Sequence, residues 1–154
     1  MRKQVWIVSA SLRPNSNSDA LARAFAKGAR DAGHTVTEVS LHGKDLRFCQ
    51  GGLACQRTGR CPIPDDAAAL VRQMHDADVL VFATPIYYYE MSGQMQTLLD
   101  RANPLYGGDY RFTDVYLLTC AAENEEPPPR PRRIRPGRLD RLLRAGAAGR
   151  HGVC

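Results

Sequence analysis

Apolar residues cluster in three short, nearly continuous runs, at residues 5–9, 79–83 and 115–119. Runs of this length without strict alternation predict strands covered on both faces, as in a parallel sheet. Residues 35–40 alternate instead, which predicts a more exposed strand. Between the runs the spacing becomes helical. From Asp19 to Ala32, Leu21, Phe25 and Ala29 recur every fourth residue beside Ala22 and Ala26, one stripe facing a sheet. Asn17 or Ser18 is placed to cap this helix, and Gly33 to end it. Residues 65–77 predict a second helix with Leu70, Val71 and Met74 inward. Residues 93–101 predict a third, with Met95, Leu98 and Leu99 inward. Strands alternating with helices give an α/β domain of right-handed β-α-β units.

Length and composition fit one such domain: 154 residues, 44% hydrophobic and 24% charged. No apolar run approaches the ~20 residues of a membrane helix, and no secretory signal precedes the first strand. A cytoplasmic location is the expectation. The net charge of +5 comes from one end of the chain. Residues 127–154 carry eight arginines and one aspartate, whereas residues 1–126 carry thirteen basic against fifteen acidic side chains. A basic isoelectric point therefore gives no argument for nucleic-acid binding by the folded part.

The first apolar run leads into Ser9-Ala-Ser-Leu-Arg-Pro-Asn-Ser-Asn-Ser18 and then a helix. A strand, a hydroxyl-rich loop and a helix start place free N–H groups and the positive helix end at the carboxyl edge of the sheet. There is no G-x-G-x-x-G and no Walker lysine, so a compact phosphate monoester is the better ligand, with a polar capped turn as the alternative. Two more strand ends bear on that choice. One runs into Thr84-Pro-Ile-Tyr-Tyr-Tyr-Glu-Met-Ser-Gly93, an aromatic loop able to wall a flat ring, or to form a dimer contact. The other closes on Thr119, Cys120 and Ala121, small residues that let a ring edge approach the backbone.

Taken together, Ser11-Leu-Arg-Pro-Asn-Ser-Asn-Ser18, the cysteine-bearing insert, Ala83-Thr-Pro-Ile-Tyr-Tyr88, Ser92-Gly-Gln-Met-Gln96 and Leu99-Asp-Arg101 resemble the NAD(P)H-dependent FMN reductases, and among them the iron–sulfur flavoproteins of the flavodoxin-like superfamily. The resemblance covers about residues 3–122. It implies a three-layer flavodoxin-like sandwich with a parallel sheet of order 2-1-3-4. The usual fifth strand is missing or replaced. It further implies that Ser11, Arg13, Ser16, Asn17 and Ser18 hold the FMN phosphate. Pro85, Ile86, Tyr87 and Tyr88 would line the isoalloxazine, with Thr119, Cys120 and Ala121 on its other side. FMN is then the cofactor, NAD(P)H the co-substrate, and a quinone, a flavin or another small molecule the electron acceptor. A homodimer is implied, with no specific nucleic acid and no membrane. The alternative is an FMN-binding electron-transfer protein without NAD(P)H turnover. No side-chain acid or base is obligatory for hydride transfer, so no catalytic residue is assigned.

Five cysteines, an odd number without a secretory signal, argue against a disulfide framework. In the iron–sulfur relatives the insert carries four cysteines that bind a cubane cluster. Here Cys49, Cys55 and Cys61 match, and Gly52 stands in the remaining place. Since cubane clusters take four thiolates, no metal is expected. His34, His42, His75 and His151 show no ligand spacing. The resemblance ends near Glu126. Beyond it, 20 of 28 residues are Arg, Pro, Gly or Ala. This divides the chain into an FMN-binding domain over 1–126, C-terminally incomplete, and a tail over 127–154. The tail is read as disordered or as a frameshift product, which would leave the fourth strand as an open edge.

Overall fold

The computed structural model describes residues 1–121 and the backbone of one further strand, Arg132–Ile134. The elements run β1 (Gln4–Ser9), α1 (Asn17–Asp31), β2 (Thr35–Ser40), α2 (Ala54–Thr58), α3 (Ala67–Asp76), β3 (Val79–Tyr87), β4 (Glu90–Met91), α4 (Gly93–Arg101), a 3-10 turn (Asn103–Leu105), β5 (Asp114–Cys120) and β6 (Arg132–Ile134). The sheet order is β2-β1-β3-β5-β6, with the first four strands parallel and β4 folded back on β3. This is the expected flavodoxin-like order. The division into a 1–126 domain and a 127–154 tail falls largely outside the described residues.

Side chains alternate across the pleat and build two cores. Trp6, Val8, Leu80 and Phe82 face α3 and α4, meeting Leu70, Val71, Met74, Met95 and Leu98. Val5, Ile7, Val79 and Val81 face the other way, onto Ala22 and Ala26 of α1. Trp6 is 2% exposed and satisfies its one polar group by donating Nε1–H to Gln73 Oε1 at 2.9 Å. The inward face of α1 differs from the expected stripe. Ser18, Ala22 and Ala26 are buried, Phe25 and Ala29 flank them, and Leu21 is 40% exposed. Small residues at the centre of the face let the helix approach the sheet, so Leu21 swings to the outside. The cap is also one residue earlier than expected: Ser16, not Asn17 or Ser18.

The outer edge of β5 is not bare. Arg132–Ile134 pairs with it antiparallel, opposing Val115, Tyr116 and Leu117. Among the described residues, a three-residue antiparallel strand thus stands in the place of the fifth parallel strand, and it opposes less than half of β5. This corrects the expectation of an open edge.

The long connection from β2 to α3 is tied down by one buried ion pair. Arg101, at the end of α4, is 1% exposed. It grips Asp65 with both terminal nitrogens and donates Nη1–H to the Arg47 carbonyl at 2.7 Å. Asp65 also accepts from the amides of Arg47 and Ala67. Burial works against ionisation of Asp65, but the Arg101 donors and these two amides outweigh it and hold the carboxyl below the ordinary carboxylate range. Replacing Arg101 with Gln strands the Asp65 charge, which in buried pairs costs about 3–5 kcal/mol. We expect that loss in urea unfolding at pH 7, together with new protease cleavage between residues 47 and 61. Because the folded-state value of Asp65 lies below its unfolded one, the pair stabilises the wild type at neutral pH and fades as pH falls below about 4. The difference between wild type and Arg101→Gln should therefore shrink in acid; a constant difference would contradict the charge-based account.

Candidate functional site: three strand ends on one edge

The parallel register sets the site. Ser9 of β1 lies beside Ala83 of β3, and Thr84 and Pro85 lie beside Thr119 and Cys120 of β5. The Ala10 amide continues the ladder one step, donating to the Ala83 carbonyl at 2.9 Å. The three segments singled out in the sequence therefore emerge side by side at the carboxyl edge, where open α/β sheets bind ligands.

On the first segment, Ser16 caps α1. Its Oγ accepts from the Asp19 amide at 3.1 Å, and the Asp19 carboxylate accepts in return from the Ser16 amide, a capping box. Asp19 also accepts from Ser9 Oγ. Burial raises the Asp19 carboxyl, but the Ser9 and Ser16 hydrogen bonds outweigh it and hold it below the ordinary range. The spacing Ser16-x-x-Asp19 is the sequence signature of this box, and Asp19 is the residue that sequence reasoning left out. Asn15 takes positive φ, 52°, where the loop turns into the helix. The amides of Ser11, Leu12, Asn17 and Ser18 have no acceptor among the described residues, nor has the Arg13 guanidinium a partner there. Ser11 and Ser18 are buried, while Arg13 and Asn17 are exposed.

The second segment is a tight hairpin. Tyr87 pairs with Glu90 and Ile86 with Met91, leaving Tyr88-Tyr89 as a two-residue turn. Both turn residues have positive φ, 49° and 65°. Such turns favour Asn-Gly; a bulky side chain held there costs of order 1–3 kcal/mol. The rings are almost wholly in solvent, 97% and 89% exposed, so no packing among the described residues offsets the strain. The stem is rigid. Thr84, fully buried, accepts from the Ser92 amide at 3.1 Å, and Ser92 caps α4. Pro85 is buried, Ile86 half-buried and Tyr87 exposed. On the third segment Thr119 and Cys120 are half-buried and Ala121 exposed. Backbone strain of this kind clusters at ligand clamps and switch segments.

The insert does not present a cubane donor set. Cys55 is buried, Cys49 and Cys61 are partly so, and all three are free thiols. The Cys55 thiol is pushed up, by burial first and then by Cys61 and Cys49 nearby. The fourth position is Gly52, whose missing Cβ would meet nothing within 4 Å. Three thiolates fall one short of a cubane cluster. Among the described residues no set of three or more His, Cys, Asp and Glu side chains is arranged to hold a metal ion.

These features define a flavodoxin-like α/β domain with a ligand edge suited to a phosphate ester and a flat ring. The profile of the family described as NADPH-dependent FMN reductase matches residues 4–123, and the chain belongs to that family. An iron–sulfur flavoprotein of Methanocaldococcus jannaschii is 34% identical over 98 residues, 64% of this chain and 51% of that protein. YwqN of Bacillus subtilis, named as a candidate NAD(P)H-dependent FMN-containing oxidoreductase, is 30% identical over 132 residues, 79% of this chain and 68% of that one. An NAD(P)H:quinone oxidoreductase from Methanothermobacter marburgensis superposes with a TM-score of 0.66 at 21% identity, covering 81% of this chain and 68% of that chain, a likeness of fold. The chain spans about half the length of the first curated relatives it matches. FMN is the cofactor of the family, with NAD(P)H as co-substrate. The free amides of the 11–18 loop, at the N-terminus of a 15-residue helix, fit its phosphate.

Two outcomes test this edge. Asp19→Ala removes the reciprocal cap and the Ser9 contact, and should cost about 1–2 kcal/mol in urea unfolding at pH 7. The loss should narrow as pH falls below about 4, since the depressed carboxyl stabilises only while ionised. Tyr88→Asn combined with Tyr89→Gly relieves the turn and should raise stability by about 1–3 kcal/mol. An unchanged unfolding midpoint would show that the turn carries no strain.

Proposed function

We propose that this chain is an FMN-dependent oxidoreductase that passes hydride from NAD(P)H through the flavin to a quinone, a flavin or another small acceptor. The observation that carries the reading is the register. It sets a loop of unpaired amides, a braced aromatic hairpin and a small-residue strand end side by side on one edge. Bound FMN supplies the hydride chemistry, which no side chain here can provide.

The protein's part is binding, orientation and electrostatics. Ser11, Ser16, Asn17 and Ser18 offer hydroxyls, an amide and backbone N–H groups to the phosphate, and Arg13 covers it with charge. The Ser16 oxygen is already an acceptor in the helix cap, so its hydrogen is what remains for a ligand. Pro85, Ile86, Tyr87 and Tyr88 form one wall for the ring system, with backbone amides near Tyr87 and Tyr88 placed to meet negative charge at its polar edge. Thr119, Cys120 and Ala121 stand on the other side. The solvent-facing Tyr88 and Tyr89 rings support assembly as a homodimer across this edge, since an aromatic pair held under strain in water gains from cover.

Titration of the full chain with FMN should show saturable, one-to-one binding. Arg13→Ala should weaken it roughly ten- to a hundredfold, the worth of a charge-assisted contact. Mixing the loaded protein with NADPH without oxygen should bleach the flavin absorbance, and adding a quinone should restore it. Binding without bleaching would favour the electron-transfer alternative. Absence of FMN binding would sink both.

A further inference from the structure

A second cleft lies on the flank of the sheet. It has a volume of about 870 Å³ and runs between α2, α3 and the turn after α4. It shares no residue with the 9–18 loop, the 84–92 hairpin or the end of β5. Its size suits a ligand of nucleotide dimensions.

The lining has two chemistries. Arg57, Arg60 and Arg72 line it from α2, the loop after it and α3, all exposed and without a carboxylate partner among the described residues. The two carboxylates that line the cleft are already engaged, Asp65 by Arg101 and Asp109 by His75. The positive charge is therefore not neutralised locally. At the floor lies Arg101, whose buried Nε–H has no acceptor among the described residues. The Arg101 charge is balanced by Asp65, but an unsatisfied buried donor costs free energy. The lining also includes apolar surface, from Ala68, Pro104 and the half-exposed ring of Tyr106.

We infer that this cleft is a second binding site, for a phosphate-bearing aromatic of nucleotide size, its phosphates on Arg57, Arg60 and Arg72 and its flat ring against Pro104 and Tyr106. Three guanidiniums match phosphate oxygens in fork geometry. A purely polar anion would leave the apolar part of the lining wet, and a purely apolar ligand would leave three arginines unused. The site stands independently of FMN binding.

The test is calorimetric titration of the full chain with ADP, adenosine and inorganic pyrophosphate, with and without saturating FMN. ADP should bind one-to-one and at least tenfold more tightly than either fragment, whether or not FMN is present. Arg60→Glu and Arg72→Glu should each weaken ADP at least tenfold and leave FMN affinity unchanged. Their arginines are exposed and unpaired, so circular dichroism should match the wild type. No saturation by ADP, equal affinity in both variants, displacement of ADP by FMN, or pyrophosphate binding as tightly as ADP would each overturn the proposal. FMN affinity measured on the same preparations keeps this outcome separate from that of the reductase reading.

Discussion

A parallel strand delivers its carboxyl end to the same edge as its neighbours, and a shift of one residue would turn every inward side chain outward. In this chain β1, β3 and β5 are locked in register because both faces are buried: Trp6, Val8, Leu80 and Phe82 on one side, Val5, Ile7, Val79 and Val81 on the other. A slip of one residue would hand each core's side chains to the other. The alignment of the three strand-end segments is thus a by-product of packing. Each segment was free to acquire its own chemistry once the register was set.

Around that edge, polar side chains hold the loops in place. Ser16 and Asp19 fix the helix start, so the amides before it point out of the fold. Thr84 and Ser92 close the stem of the hairpin, so the conformational cost of Tyr88 and Tyr89 stays in the turn. On the flank, Arg101 and Asp65 hold a 26-residue connection with few apolar contacts of its own. Two of these three pairs are fully desolvated, where a missing partner costs more than the pair contributes.

Much of this was legible in the chain because it is written in periodicity. Buried runs at residues 5–9, 79–83 and 115–119 became β1, β3 and β5, and 93–101 became α4 with the same limits. The segments that gather at the ligand edge were each visible as a loop of distinct composition beside a strand end. What escaped was set by pairing between distant residues. Arg101 and Asp65 stand 36 positions apart, and nothing in either neighbourhood announces the other. The Tyr88-Tyr89 turn lacks the Asn-Gly signal because its sequence contradicts the local preference for that geometry. Leu21 misled because spacing alone does not tell a large exposed residue from a large buried one, while Ala22 and Ala26 set the contact distance. Such conflicts between local preference and observed conformation gather where a protein meets a ligand.

The outer side of β5 carries the same logic to the edge of the sheet. Its described neighbour, β6, opposes Val115, Tyr116 and Leu117 only. Thr119 and Cys120 have no described strand beyond them, although β3 flanks them on the inner side. A full-length parallel fifth strand would bring its own carboxyl end and loop up to this point. The described antiparallel strand stops lower down, and the small residues at the end of β5 are half-exposed. A planar ring lying across the strand ends would meet, among the described residues, no strand-built wall on that outer side. The grip on such a ring would then rest on the hairpin side, through Pro85, Ile86, Tyr87 and Tyr88, more than in a fold where both sides are built from strands. The cost of holding two tyrosines at positive φ becomes intelligible on that footing: where one wall is short, the other must stand in place before the ligand arrives, because a wall that has to be ordered on binding subtracts that ordering from the affinity.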